Sequence, residues 1–365
     1  MDDNNKMRVA IACQGGGSHT AFTAGALKVL LTKGQEKYDF VAFSGTSGGA
    51  ICALLAWYAL LKNGTGNAGR DKATELLNSF WLRDNSANLL PERLWNDSVI
   101  QWIRWQQENG FLIEYSPNFF SDLAQDRLRR MIEKNVNFGE IDDEFVKPSS
   151  PMLFVGAVNV LTGEFMVFKS HKLNGPDENG RAFVFNDSRD NGISVDALLA
   201  SAAIPPIFKA MRIGEGVYWD GLYAQNPPIR DLPDANPDEI WVIQINPDRF
   251  ESEPKTMPSI LNRRNELAGN LSLHQEIFFI EKVNEWIEEG YFPGSDRGII
   301  KVRRIPMLHE FGPESKLDRK PAFIRELMAY GEEQAENFLK ELAEAAFLGE
   351  ETPATEALTL TGTRA

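Results

Sequence analysis

Two short apolar runs near the N-terminus, Val9-Ala10-Ile11-Ala12-Cys13 and Asp39-Phe40-Val41-Ala42-Phe43-Ser44, are each followed by a glycine cluster and then a longer apolar segment. After the first run come Gln14-Gly15-Gly16-Gly17-Ser18 and a helical pattern from Ala21 to Leu31. After the second come Gly45-Thr46-Ser47-Gly48-Gly49 and the alanine-rich stretch Ala50 to Leu61. Short apolar runs bounded by turns read as buried strands, and longer apolar-periodic segments as helices. Residues 8 to 61 therefore predict strand–helix–strand–helix. That arrangement puts both glycine loops at the carboxyl edge of one parallel sheet, where α/β folds bind their ligands.

The pattern continues less regularly. Residues 63–70, rich in Gly and Asn, read as a flexible loop, and residues 71–134 as helical with irregular breaks. The latter hold Trp81, Trp95, Trp102, Trp105, Phe111, Phe119 and Phe120. Core packing is the plain reading of these aromatics, and a lid or the wall of an acyl-chain pocket is the sharper one. Residues 152–160 and 163–169 read as strands joined by Leu161-Thr162, the first apolar nearly throughout, as a strand buried on both faces should be. Residues 194–203 predict a short helix ending before Pro205-Pro206, and Val217 to Leu222 a short strand ending in Asp220-Gly221. Ile240 to Ile245 reads as a central strand. Pro258 to Gly290 reads as an amphipathic helix through Ile260, Leu267, Leu271, Phe278 and Ile287. Ile299 to Ile305 is a last strand, Pro321 to Leu348 a second long helix, and residues 350–365 a disordered tail. No internal repeat is present.

Composition narrows the function classes. The 365 residues are 43% hydrophobic and 25% charged, as a well-packed globular chain should be. A formal net charge of −14 argues against nucleic acid as a partner and against long-range attraction to anionic membranes. A local patch remains able to dock on lipid. The two cysteines, Cys13 and Cys52, lie in apolar segments and read as small core residues in a reducing compartment. The four histidines (His19, His171, His274, His309) are scattered, and no Cys/His cluster has metal-ligand spacing, so no metal or cofactor is expected. The N-terminal Met1-Asp2-Asp3-Asn4-Asn5-Lys6 is polar and acidic, unlike a signal peptide, and no apolar run is long enough to span a bilayer. The expectation is a cytoplasmic protein, with signal-independent export left open. Oligomeric state is not legible.

The chemistry concentrates in three segments. Gly45-Thr46-Ser47-Gly48-Gly49 is a G-x-S-x-G turn between a strand and a helix, which is a nucleophile elbow with Ser47 at its apex. Such a serine needs a proton acceptor and a site that stabilises an oxyanion. No histidine stands in a setting that resembles a triad loop. Asp220, at the end of an apolar strand and preceded by the small residues Ala200-Ser201-Ala202-Ala203, stands out instead. A dinucleotide loop at Gly15-Gly16-Gly17 is disfavoured, because Thr20 stands where the third glycine of G-x-G-x-x-G belongs and no acidic residue ends the second strand. A P-loop is excluded, since no Gly-Lys-Ser/Thr follows.

Together Gly15-Gly16-Gly17-Ser18-His19-Thr20, Gly45-Thr46-Ser47-Gly48-Gly49 and Asp220-Gly221-Leu222 resemble the three motifs of the patatin-like phospholipase family, in order and spacing. The Ser-Ala-Ala-Ile-Pro-Pro segment before Asp220 and the Asn226-Pro227-Pro228 that follows resemble the family too, over residues 8 to 246. The resemblance implies an α/β fold, a three-layer α/β/α sandwich with a central, mostly parallel sheet. It implies a lipid acyl hydrolase of phospholipase A or lysophospholipase type, acting on lipid or acyl-ester substrates with peripheral membrane contact. It also implies a Ser47–Asp220 dyad without histidine. The oxyanion hole falls to backbone N–H groups of Gly15, Gly16, Gly17, Ser18 and Gly48, with His19 as an accessory.

On this reading, residues 1–7 are a polar segment, 8–246 the hydrolase domain, 247–348 a mainly helical extension packed on it, and 349–365 a tail. Thr20 and Leu222 depart from the family's small residues, which keeps open a catalytically weak binding protein of the same fold. A Ser-His-Asp esterase using His171 or His309 is the other alternative.

Overall fold

The structure, a computed structural model, describes residues 6–34, 37–109, 122–141, 146–147, 149–170, 192–205, 207–293 and 298–348. Phe111, Phe119, Phe120, His171, Pro206 and the tail from 349 lie outside the described residues.

The two leading units form as expected. Strand β1 (Met7–Cys13) leads to α1 (Thr20–Lys33), and β2 (Tyr38–Gly45) to α2 (Gly48–Asn63). There follow α3 (Asn67–Asn78), a π-helical stretch over Ser79–Asp84, α4 (Leu90–Asn109) and α5 (Asp122–Asn135). Then come β3 (Met152–Asn159), β4 (Phe165–Lys169), α6 (Val195–Ser201), β5 (Met211–Ile213) and β6 (Gly216–Asp220). The chain closes with β7 (Glu239–Gln244), α7 (Met257–Glu288), β8 (Lys301–Pro306) and α8 (Pro321–Leu348). The Gly/Asn-rich segment 63–70 is shorter as a loop than its composition suggests. Arg70 is buried and its N–H bonds the Gly66 carbonyl at 3.2 Å, so the buried face of α3 draws residues 67–70 into the helix.

One eight-stranded sheet runs in the order β5-β6-β3-β2-β1-β7-β8, with β4 also paired to β3. The central run β3-β2-β1-β7-β8 is parallel; β4, β5 and β6 join antiparallel. The central strands are buried on both faces, so their residues alternate between two cores rather than between core and water. Val9, Ile11 and Cys13 of β1 face one core with α1, α2, α3, α6 and α8. Ala10 and Ala12 face a second core with residues 229–235 and with Leu273, Ile277 and Ile280 of α7. The result is a three-layer α/β/α sandwich with a central, mostly parallel sheet. Residues beyond 246 supply β8 to that sheet, the α7 layer and the α8 helix that packs on α1. Among the described residues, no helix is long and apolar enough to cross a membrane.

The register of β3 positions the site. One edge of β3 pairs with β4; the other pairs first with β2, up to Gly45 opposite Val155, and then with β6, starting at Asp220 opposite Ala157. The carboxyl ends of β2 and β6 therefore point at each other across a gap of two β3 residues, about 7 Å of strand. Ser47 lies just past one end, and Asp220 is the other.

Candidate active site

Ser47 occupies the turn between β2 and α2 with φ 54° and ψ −128°, a positive-φ conformation that non-glycine residues rarely adopt. Its neighbours hold it there. The Ser47 N–H donates to Ser201 Oγ at 2.9 Å, and Ser201 Oγ donates in turn to the Gly156 carbonyl of β3 at 2.6 Å. Thr46 Oγ1 donates to the Gln225 carbonyl at 2.6 Å. A Cβ on Gly49 would overlap the Cys13 carbonyl, and one on Gly15 the Thr46 carbonyl, so both loops press together only because these positions are glycine. The turn leaves the Ser47 side chain half-buried at the N-terminus of α2, where the helix dipole favours developing negative charge.

Asp220 is 1% exposed. Its N–H bonds the Ala203 carbonyl at 3.1 Å, its Oδ1 accepts the Leu222 N–H at 2.8 Å, and the Ser47 side chain lies close enough to its carboxyl to act on its pKa. Burial pushes the carboxyl from 3.8 up to about 7, against the pull of the Leu222 N–H and the Ser47 hydroxyl. That value suits a group that must accept a proton near neutrality.

The glycine loop lies beside this pair. The Asn226 carboxamide clamps Gly15 from both sides, accepting its N–H at 2.7 Å and donating to its carbonyl at 3.3 Å. The Gly15 N–H is thereby engaged, which leaves the N–H groups of Gly16, Gly17 and Ser18 for a ligand. Gly17 takes φ 61°, and its carbonyl accepts Thr20 Oγ1 at 2.5 Å. Thr20 is fully buried: its side chain braces the loop and packs on Gly48. Leu222, the other departure, tucks under α7, where its Cδ1 lies 3.1 Å from the point a Gly269 Cβ would occupy. A glycine on α7 thus makes room for the larger residue.

A model of the patatin-like phospholipase family matches residues 11–233, more than half of the chain and all three motif segments. The chain belongs to the patatin-like phospholipase family. No curated protein matches its sequence. Among solved structures, VipD from Legionella pneumophila is similar at 12% identity and a TM-score of 0.41, covering 92% of this chain and 67% of that one. The human GIVD cytosolic phospholipase A2 has 12% identity, a TM-score of 0.33 and coverage of 67% and 46%. The type III effector ExoU, of Pseudomonas aeruginosa, has 14% identity, a TM-score of 0.27 and coverage of 91% and 54%. The chain spans about half the length of the latter two.

The described histidines are engaged elsewhere. His19 is buried behind the glycine loop between Phe311 and Phe323, with Nε2 2.7 Å from Ser315 Oγ. Ser315 Oγ donates to the Gly312 carbonyl at 2.5 Å, which leaves His19 Nε2 as the donor in their contact. Burial, aided by Lys316, pushes this imidazole down to about 3, so it is a neutral anchor at working pH. His274 Nε2 lies 3.1 Å from Asp248 Oδ1, and His309 stacks on Tyr330 at 4.4 Å.

The polar scaffold of the site was not anticipated from the sequence. Gln14, fully buried, accepts the Ile245 and Asn246 N–H groups at 2.9 and 2.7 Å and donates to Asn270 Oδ1 at 2.9 Å and the Asn226 carbonyl at 3.2 Å. It ties the glycine loop to β7, α7 and the Asp220 loop at once. Its sequence signal was present: a polar residue ending an apolar strand immediately before three glycines. Among the described residues, no group of three or more His, Cys, Asp or Glu could hold a metal ion.

Proposed function

We propose that this chain is a lipid acyl hydrolase of phospholipase A or lysophospholipase type, working through Ser47 and Asp220. The observation that carries the proposal is the strained Ser47 turn with the buried, high-pKa Asp220 carboxyl against its side chain. Asp220 takes the Ser47 proton as the hydroxyl oxygen attacks the ester carbonyl. A carboxylate at its ordinary pKa is a poor base for an alcohol, and the upward shift narrows that mismatch. The carbonyl oxygen becomes an oxyanion facing the N–H groups of Gly16 to Ser18 and of Gly48, at the positive end of α2. One such donor is commonly worth about 2.7–4 kcal/mol.

Collapse of the tetrahedral intermediate expels the alcohol, which takes the proton from Asp220. Water then attacks the acyl–Ser47 ester with Asp220 again as base, releasing the fatty acid and restoring the Ser47 hydroxyl. The Thr20 side chain is buried and braces the glycine loop, which favours an active enzyme over a silent binding protein. The test is incubation with a mixed phospholipid extract and with a chromogenic short-chain ester, wild type against Ser47→Ala and Asp220→Asn. Fatty acids and ester turnover from the wild type alone support the proposal; release by Ser47→Ala ends it.

A further inference from the structure

Helices α4 and α7 present large apolar side chains to solvent. Trp95, Trp102 and Trp105 on α4 are 70%, 46% and 44% exposed, and Leu267, Leu271 and Phe278 on α7 are 42%, 57% and 67% exposed. The α7 residues recur at four- and seven-residue spacing, on the side of the helix opposite Glu266, Gly269, Asn270, Leu273 and Ile277, which face the core. Such a stripe on a soluble face marks a surface that something covers. The two helices are neighbours, and both border the site. They pack against each other and against residues 313–317. Asn96 Nδ2 bonds the Leu317 carbonyl at 2.9 Å, Lys316 Nζ bonds Asn262 and Glu266 of α7 at 2.9 Å each, and the Lys316 carbonyl abuts Gly17. On its other flank α7 covers Leu222, next to the partly exposed Tyr223.

One arginine lies within the α7 stripe. Arg264 on α7 is exposed, and among the described residues its side chain forms no ion pair or hydrogen bond. In a chain of net charge −14, an exposed arginine without a carboxylate in an apolar stripe, on a helix that packs against the tryptophan-bearing α4, matches the head-group layer of a bilayer. Guanidinium groups pair with phosphate oxygens there, and indole rings settle at the interface.

We infer that the outward faces of α4 and α7 dock this protein on a zwitterionic phospholipid surface, with Arg264 taking a lipid phosphate and the apolar side chains entering the interface. The inference rests on the lipid reading of the active site, to which it adds the surface that presents the substrate. A second copy of the chain seated on this face would also cover the rim at residues 313–317 and Tyr223. A bilayer seated there delivers an ester to it. Because the chain as a whole is acidic, contact is short-ranged: it survives high salt and weakens when anionic lipid is added.

The test uses full-length protein carrying Ser47→Ala, so that vesicles are not consumed, with and without Leu271→Glu and Phe278→Glu. Co-sedimentation with phosphatidylcholine vesicles should show binding that each glutamate lowers at least tenfold, as expected when a buried apolar anchor is lost. With Ser47 intact, both variants should hydrolyse a short soluble ester at the wild-type rate. Unchanged vesicle binding in the glutamate variants overturns the inference while leaving the hydrolase reading standing. So does a concentration-dependent dimer that the glutamates dissolve. Vesicle binding that behaves as expected in a protein without ester turnover upholds the docking face and removes the hydrolase reading instead.

Discussion

Asp220→Asn should make the protein inactive and more stable at once, and the size of the second effect can be worked from the site. Folding moves the Asp220 carboxyl from 3.8 to about 7, chiefly by burial. A carboxyl whose pKa rises on folding holds its proton more tightly in the native state than in the unfolded chain. Below pH 4 both states are protonated and nothing is lost. Between pH 4 and 7 the unfolded chain ionises first and stability falls with rising pH; above 7 the loss is complete. A shift of about three units at 1.36 kcal/mol each sets the full loss at about 4 kcal/mol. For a chain of this length, unfolding entropy of about 2 cal/mol/K per residue turns that into roughly 5 °C of melting temperature. Asparagine keeps the shape and the acceptor for the Leu222 N–H but cannot ionise. Its melting temperature should exceed wild type by only about 1 °C near pH 4.5 and by several degrees at pH 8. Over the same range the wild-type kcat/KM should rise with pH through about 7 and level off, because only ionised Asp220 accepts the Ser47 proton. Turnover by the variant should fall by about 10²–10⁴-fold. Thermal melts at fixed scan rate from pH 4.5 to 8.5, with ester turnover at each pH, read both effects. A melting difference that does not change with pH, or near-wild-type turnover in the variant, refutes the reasoning.

Other substitutions separate the site's parts. His274→Ala and His309→Ala should keep most turnover on a soluble ester, since both rings are engaged away from Ser47; complete loss in either folded variant would favour a histidine triad. His19 is buried neutral with its pKa held at about 3, so wild-type stability is lost as pH falls below 6.5, and His19→Gln should lessen that acid-side loss in melts from pH 7 to 4. Thr20→Gly restores the family's residue but removes a buried hydrogen bond and adds chain entropy, together about 2 kcal/mol; lower melting temperature and lower kcat are expected, and a gain in kcat would contradict the bracing role. Gly269→Ala should crowd Leu222 and Asn226 and cut kcat, and Leu222→Ala in the same chain should recover part of it. A double-mutant cycle with no coupling would show that α7 does not press on the Asp220 loop.

What the sequence made legible was local. The strand–glycine–helix units at β1/α1 and β2/α2 carry their signals within a few residues: apolar runs, then glycines, then apolar helical patterns. The α7 helix is marked by its periodicity and opens with a Thr256–Ser259 capping box. What was hidden depends on pairing between distant segments. Nothing near Val217 says that β6 will take the same edge of β3 as β2, yet that register brings Asp220 to Ser47. The effect of Thr20 could not be read without the Gly17 carbonyl it binds, nor that of Leu222 without Gly269, which lies 47 residues further along. The role of His19 is set by Ser315, and that of Gly15 by Asn226, each a long-range partner. Segment 63–70 misled because glycine and asparagine content reports local freedom, whereas the buried Arg70 reports a tertiary contact.

The most direct test of the Ser47–Asp220 assignment is the site of covalent capture by a fluorophosphonate, which loses fluoride to an activated serine hydroxyl and leaves a phosphonyl ester that mimics the tetrahedral intermediate. The adduct is located by peptide mass spectrometry in wild type, Ser47→Ala and Asp220→Asn. A single adduct is expected on the peptide containing Ser47, none in Ser47→Ala, and markedly slower formation in Asp220→Asn. An adduct on another residue, or undiminished labelling of Ser47→Ala, would contradict the assignment.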